Sequence, residues 1–246
     1  MEIKDLTYKD ELLDLNYTFT HDKIYGIVGD KSKATLFLEL LRGLKKPTHG
    51  YIDKNGLKVF MLFEESENQI FNNTVHDEIL YGLNDDQVDL LDICKKVDIS
   101  DELWNKNPLY LSSGEMRKVV IASMLAFNPD IILVDNFLNM LDYENQKMFI
   151  NILKRMQFDE HKIVIIADQN VNLLYEIVDD VIVLDNEIIL SGNKFDIFKN
   201  VDLLNDLKIE IPLYVEFVNL VSTKKNIDLP YRDRITDIVK DVYDNV

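Results

Sequence analysis

Three stretches of this sequence carry residue types suited to phosphate chemistry. Lys23-Ile24-Tyr25-Gly26-Ile27-Val28-Gly29 reads as a buried strand ending in a turn. Leu36 to Leu44 then takes helical spacing and stops at Lys45-Lys46-Pro47. Strand, turn and helix is the setting of a phosphate-binding loop. Leu111-Ser112-Ser113-Gly114-Glu115 opens a second helix running through Met116 to Ala122. At Ser112 to Gly114 the free N–H groups and the macrodipole favour an anion. Ile131-Ile132-Leu133-Val134-Asp135 is an apolar strand ending in a carboxylate, followed by Asn136 and then Leu141-Asp142.

The elements that must hold these residues read as α/β. Ile/Val/Leu-rich runs alternate with helical patterns. Ile163 to Ala167 is a further buried strand, and Val181 to Leu184 with Glu187 to Leu190 flank Asp185-Asn186 as a hairpin. Residues 72–128 are mostly helical in pattern. After residue 200 the pattern is amphipathic helix, broken at Pro212 and Pro230.

At 246 residues and 47% hydrophobic content, the chain supports one sizeable core. The net charge of -17 argues against nucleic acid as a partner. The single cysteine, Cys94, allows no internal disulfide and fits a reducing compartment. The histidines His21, His49, His76 and His161 show no ligand spacing. No apolar run approaches the roughly 20 residues that cross a bilayer, and Met1 to Asp5 lacks signal-peptide character, so a soluble chain is expected.

The stretch from Leu111 to Ala122 resembles the ABC signature, L-S-G-G-Q, running into its helix. Asn128-Pro129-Asp130, the strand to Asp135 and then Leu141-Asp142 follow as Walker B and the D-loop do in ABC ATPases. Leu62-Phe63-Glu64-Glu65-Ser66-Glu67-Asn68-Gln69-Ile70-Phe71 looks like the Q-loop of energy-coupling-factor and cobalt or nickel importers. Thr74 to Ile79, Tyr81-Gly82 and the tail around Ile211-Pro212 and Arg234 to Thr236 extend the likeness over nearly the whole chain. The resemblance implies an ABC-type P-loop ATPase core, a mixed sheet with helices, over residues 1–200. It also implies an inserted helical signature subdomain at about 72–128 and a helical extension over 201–246. Its cofactors would be ATP and Mg²⁺. Its partners would be a second ABC ATPase and a membrane transporter subunit, at the cytoplasmic face of the membrane.

The phosphate side departs from that family. Gly29 is followed by Asp30-Lys31-Ser32-Lys33-Ala34-Thr35-Leu36, with no glycine before Gly43. One register puts Ala34 in the lysine slot and Thr35 in the magnesium slot. The other keeps Lys33 as the lysine and loses the magnesium hydroxyl at Ala34. In both, a short loop without glycine makes no full nest, and Asp30 adds a repelling charge. Glu64 stands for the Q-loop glutamine, and Asn136 for the glutamate base after Asp135. A lost base costs about 10² to 10⁴ in rate. Gln169 stands in the switch-histidine slot. Tyr8 is the aromatic nearest an adenine-stacking position.

The signature keeps Gly114, with Ser113 for glycine and Glu115 for glutamine. ABC sites are composite, so a chain with this imbalance would complete its partner's site through Ser112, Ser113, Gly114 and Glu115. It would contribute little to its own at Gly29, Lys33, Ala34, Thr35 and Asp135, with Thr35 and Asp135 holding any magnesium. Two alternatives stay open: an active ATPase using Glu64 or another carboxylate as base, and a non-catalytic scaffold or regulator.

Overall fold

A computed structural model describes residues 1–83 and 88–245. The chain begins with β1 (Glu2–Tyr8), β2 (Leu12–Thr18) and β3 (Ile24–Gly29), then α1 (Lys31–Arg42), β4 (His49–Asp53) and β5 (Val59–Leu62). A mostly helical stretch follows, with α2 (Val75–Ile79), α3 (Leu90–Lys96) and α4 (Ser113–Phe127). Residues 84–87 of the expected helical segment lie outside the described residues. Next come β6 (Ile131–Asp135), α5 (Tyr143–Phe158), β7 (Ile163–Ala167), α6 (Val171–Ile177), β8 (Asp180–Leu184) and β9 (Ile188–Asn193). The chain closes with α7 (Lys194–Phe198), α8 (Val201–Asp206), α9 (Leu213–Lys225) and α10 (Ile235–Asn245).

Two sheets result. β2-β1-β4 is a small antiparallel sheet, and β5-β6-β7-β3-β8-β9 is parallel apart from β9. Strands β6, β7 and β8 are buried at every position because both faces of this sheet are covered. Alternation sorts their side chains. Ile131 and Leu133 pack with α1 and the small sheet, while Ile132 and Val134 face the α2–α6 side. Helix α1 is therefore clamped between the two sheets by Phe37, Leu38, Leu40 and Leu41. The hairpin around Asp185-Asn186 is present as β8–β9.

Helix α1 differs from the sequence reading. It begins at Lys31, five residues before Leu36, because Asp30 caps it. It ends at Arg42, because Gly43 adopts φ 92° and its N–H bonds to the carbonyls of Glu39 and Leu40. After residue 200 the chain forms α8, α9 and α10, with α9 starting directly after Pro212.

The tail is fastened to the cassette by polar contacts. The Lys194 ammonium is buried, donates to the Tyr175 carbonyl at 2.7 Å and pairs with Asp233. The Tyr175 hydroxyl donates to the Arg232 carbonyl at 3.2 Å, and the Leu213 N–H to Asn172 Oδ1 at 2.7 Å.

Candidate functional site

The parallel strands β5, β6, β7 and β3 end on one edge, where a crevice in such a sheet takes ligands. Gly29 closes β3 with φ 130°, and a Cβ there would lie 2.0 Å from the Leu184 carbonyl oxygen. Only Asp30 separates the strand from α1. Its Oδ1 accepts from Lys33 N at 3.0 Å and from Ser32 Oγ at 2.6 Å. These bonds, that from Ser32 first, hold its carboxyl below the usual range. The anion-binding end of α1 is thus already served by a carboxylate of its own.

The next turn of α1 sends its side chains to two different places. Thr35 Oγ1 donates to Asp135 Oδ1 at 2.9 Å, joining α1 to the end of β6. Lys33 turns the other way and pairs with Asp185 and Asn186 in the β8–β9 turn. Ala34 is buried. Thr35 therefore faces the carboxylate and Lys33 does not.

Asp135 is itself enclosed. Asn136 Nδ2 donates to its Oδ1 at 3.1 Å, so that one oxygen accepts from both Asn136 and Thr35. Asn136 is buried, adopts φ 48° and sends its N–H to the Ala167 carbonyl at 2.8 Å. Its amide is thereby aimed at Asp135. Burial, ahead of all else, pushes the Asp135 carboxyl up.

One site residue escaped the sequence reading. Asp168, just after β7, is 2% exposed, and its Oδ1 accepts from Asn170 N at 2.8 Å and from the Asn139 amide. Its Oδ2 has no hydrogen-bond partner among the described residues. Burial raises this carboxyl too. The available signal was the one that marked Asp135: an acid at the end of an apolar strand.

Gln169 is exposed and shares a cleft of about 370 Å³ with Gly29, Asp30, Lys31 and Asp185. Glu64, after β5, forms an ion pair with Lys31 at 2.7 Å. Tyr8 has the ammonium groups of Lys9 and Lys45 over its ring, at 5.0 and 5.9 Å from the centroid. The helix end is capped by Asp30, both acceptor positions of Asp135 Oδ1 are used, and Glu64 is tied to a lysine.

The signature segment is different. Ser112 Oγ donates to Glu115 Oε2 at 2.6 Å, Ser112 N to the same oxygen at 3.0 Å, and Glu115 N to Ser112 Oγ at 3.3 Å. This capping box leaves Ser112 and Ser113 exposed at the N-terminus of α4. Asp142 caps α5 beside it, through Asn145 N at 2.9 Å and Asn145 Nδ2 at 2.7 Å. A Cβ on Gly114 would meet only Asn145 Nδ2, at 4.0 Å, and the residue's φ lies outside the left-handed range. Every other glycine has either a positive φ or, at Gly26, a close neighbour at 3.0 Å.

The ABC transporter family model matches residues 12–139. The chain belongs to the ABC transporter ATP-binding proteins. Energy-coupling factor transporter ATP-binding protein EcfA2 of Staphylococcus aureus strain bovine RF122 is 30% identical to this cassette over 82% of the chain and 80% of the relative. The counterpart from strain USA300 is 28% identical over 92% and 85%. These relatives place the cassette in the energy-coupling-factor branch. Among solved structures, cbiO1 from Clostridium perfringens, part of the ABC transporter complex cbiONQ, superposes with a TM-score of 0.68 and 20% identity, over 89% of this chain and 98% of that one. A dimeric ATP-binding cassette, MJ0796, bound to ADP and Pi gives 0.66 and 22%, over 78% and 97%. At these identities the likeness concerns the fold, an α/β ABC cassette. Among the described residues no helix is long and apolar enough to cross a membrane.

Proposed function

We propose that this cassette is the ATP-binding subunit of a vitamin or transition-metal importer whose own phosphate site is degenerate. It pairs with a second ATPase and supplies Ser112, Ser113, Gly114 and Glu115 to that partner's nucleotide. Gly114 carries the reading. A glycine whose backbone alanine could adopt is less stable than alanine by roughly 0.4–1 kcal/mol, through the freedom of the unfolded chain, and among the described residues nothing requires one at this position. Close approach of an outside group to the backbone supplies the missing reason, at a helix end suited to phosphate.

The phosphate side supports the same division of labour. Asn136 carries no base and points at Asp135. Glu64, the acid that an atypical hydrolysis would need, is held by Lys31. A membrane subunit would keep the protein peripheral, at the cytoplasmic face. An apolar cleft of about 440 Å³ beside the Q-loop segment, lined by Phe60, Phe63, Phe71, Tyr81 and Phe127, suits such a docking.

The test is ATP turnover of the chain co-purified with its partner ATPase and membrane subunits. Gly114→Asp should abolish turnover, while Asn136→Glu should restore little. Unchanged turnover in Gly114→Asp would sink the composite-site reading.

A further inference from the structure

The tail meets the cassette at a cleft of about 730 Å³. Lys154, Gln157 and Phe158 of α5 and the end of α6 line it on the cassette, and Tyr214 of α9 and residues 233–236 line it on the tail. None of its lining residues belongs to the phosphate side or to the signature. Ile24, Ile177 and Val178 contribute buried apolar surface, while Phe158 and Ile235 are exposed. Ligand clefts combine apolar lining of this kind with a few placed polar groups.

The polar groups stand out in a chain of net charge -17. Three cations, Lys154, Lys194 and Arg234, line the cleft beside three acids, Glu176, Asp179 and Asp233. Each acid has a donor inside the chain. Asp233 pairs with Lys194, Asp179 Oδ2 accepts from Ile24 N at 2.8 Å, and Glu176 Oε1 accepts from the Tyr214 hydroxyl at 3.0 Å. The cations keep donors to spare. The Arg234 guanidinium has no hydrogen bond or ion pair among the described residues. Lys154 reaches only the Glu176 carbonyl among them, at 3.5 Å. Buried Lys194 uses two of its three N–H donors, on the Tyr175 carbonyl and on Asp233.

We propose that this cleft binds a small organic anion, whose charged head pairs with Arg234 and Lys154 and whose apolar body lies against Phe158 and Ile235. A guanidinium takes a carboxylate or a phosphate through two parallel bonds, stronger than those between neutral groups. The apolar flank gives an organic anion an advantage over a bare inorganic one. Lys154 belongs to the cassette and Arg234 to the tail, so the bound anion fastens one to the other. The site is separate from the nucleotide and holds whether or not the phosphate side is degenerate.

The experiment is a calorimetric titration of the full chain, without nucleotide or partner, with phenyl phosphate and with benzoate. At least one should bind, and the tighter of the two names the head group. Inorganic phosphate, which lacks the ring, and benzylamine, which reverses the charge, should each bind at least about tenfold more weakly. Arg234 and Lys154 are exposed, so their variants keep the fold. Arg234→Gln and Lys154→Gln should each weaken the tighter probe about tenfold. Lys224→Gln, an exposed position on α9, serves as the control for general charge and should leave binding unchanged. The bound probe should also slow trypsin at Arg232. The proposal is overturned if neither probe binds, if inorganic phosphate or benzylamine binds as tightly, if Arg234→Gln and Lys154→Gln bind as wild type does, if Lys224→Gln weakens binding as much, or if the bound probe leaves cleavage at Arg232 unchanged.

Discussion

The hydroxyl of Thr35 and the carboxylate of Asp135 lie 2.9 Å apart, a hydrogen bond across 100 residues of sequence that fixes the first turns of α1 against the end of β6. Asp135 is buried, so losing one of its two donors leaves part of its desolvation uncompensated. Thr35→Val keeps the shape and removes the donor. It should cost about 1–2 kcal/mol, read as a lower urea midpoint at unchanged slope. A midpoint equal to wild type would mean that the hydrogen bond does not form in solution.

Gly114 separates stability from function. With open space around its Cβ position, Gly114→Ala should stabilise the isolated chain by roughly 0.4–1 kcal/mol. The same substitution should slow ATP turnover of the assembled complex. Melting of the single chain and turnover of the complex would then move in opposite senses. If both improve together, the glycine serves no outside ligand.

Asp168 gives a pH signature. Burial raises its carboxyl above the ordinary value. A group of this kind binds its proton more tightly in the folded chain, which favours folding at low pH, and that contribution is lost as pH rises through the folded value. Near neutrality the ionised group is a net cost. Asp168→Asn keeps an oxygen for Asn170 N and the Asn139 amide. It should melt above wild type at neutral pH, with the difference shrinking in acid. A constant difference across pH would show that Asp168 is not buried as an ion.

The first half of this constellation was legible in the sequence. An apolar strand ending in an acid marked Asp135, and the stretch Leu111 to Glu115 running into Met116 to Ala122 marked the start of α4. The start of α1 was harder to read. Asp30 was seen as a charge that repels phosphate, when its position before Ser32-Lys33 also makes it a helix cap. Choosing between Lys33 and Thr35 needed the spatial neighbour, because both fit the spacing. Lys31 and Glu64 are 33 residues apart, on elements brought together only by the order β5-β6-β7-β3. No local pattern encodes that meeting.

Lys194 tests the attachment of the tail. Its buried ammonium serves the Tyr175 carbonyl and Asp233 together. Lys194→Met would leave Asp233 unpaired by it and the carbonyl without that donor. Trypsin should then cut at Arg232 and Arg234 markedly faster than in wild type, while the cassette residues before the tail resist. Equal cleavage would show that the apolar packing of Ile209, Ile211 and Val215 into the cassette core holds the tail alone.

Asp30 also changes how this subunit would respond to its surroundings. The anion at the start of α1 is joined to the helix by a covalent bond, so it competes with any dissolved phosphate at an effective concentration on the order of millimolar or above. Free nucleotide must outcompete that ligand for the Lys33 N–H group. The subunit would therefore stay in one state while nucleotide levels swing, and the timing of the assembly would be set by the other ATPase.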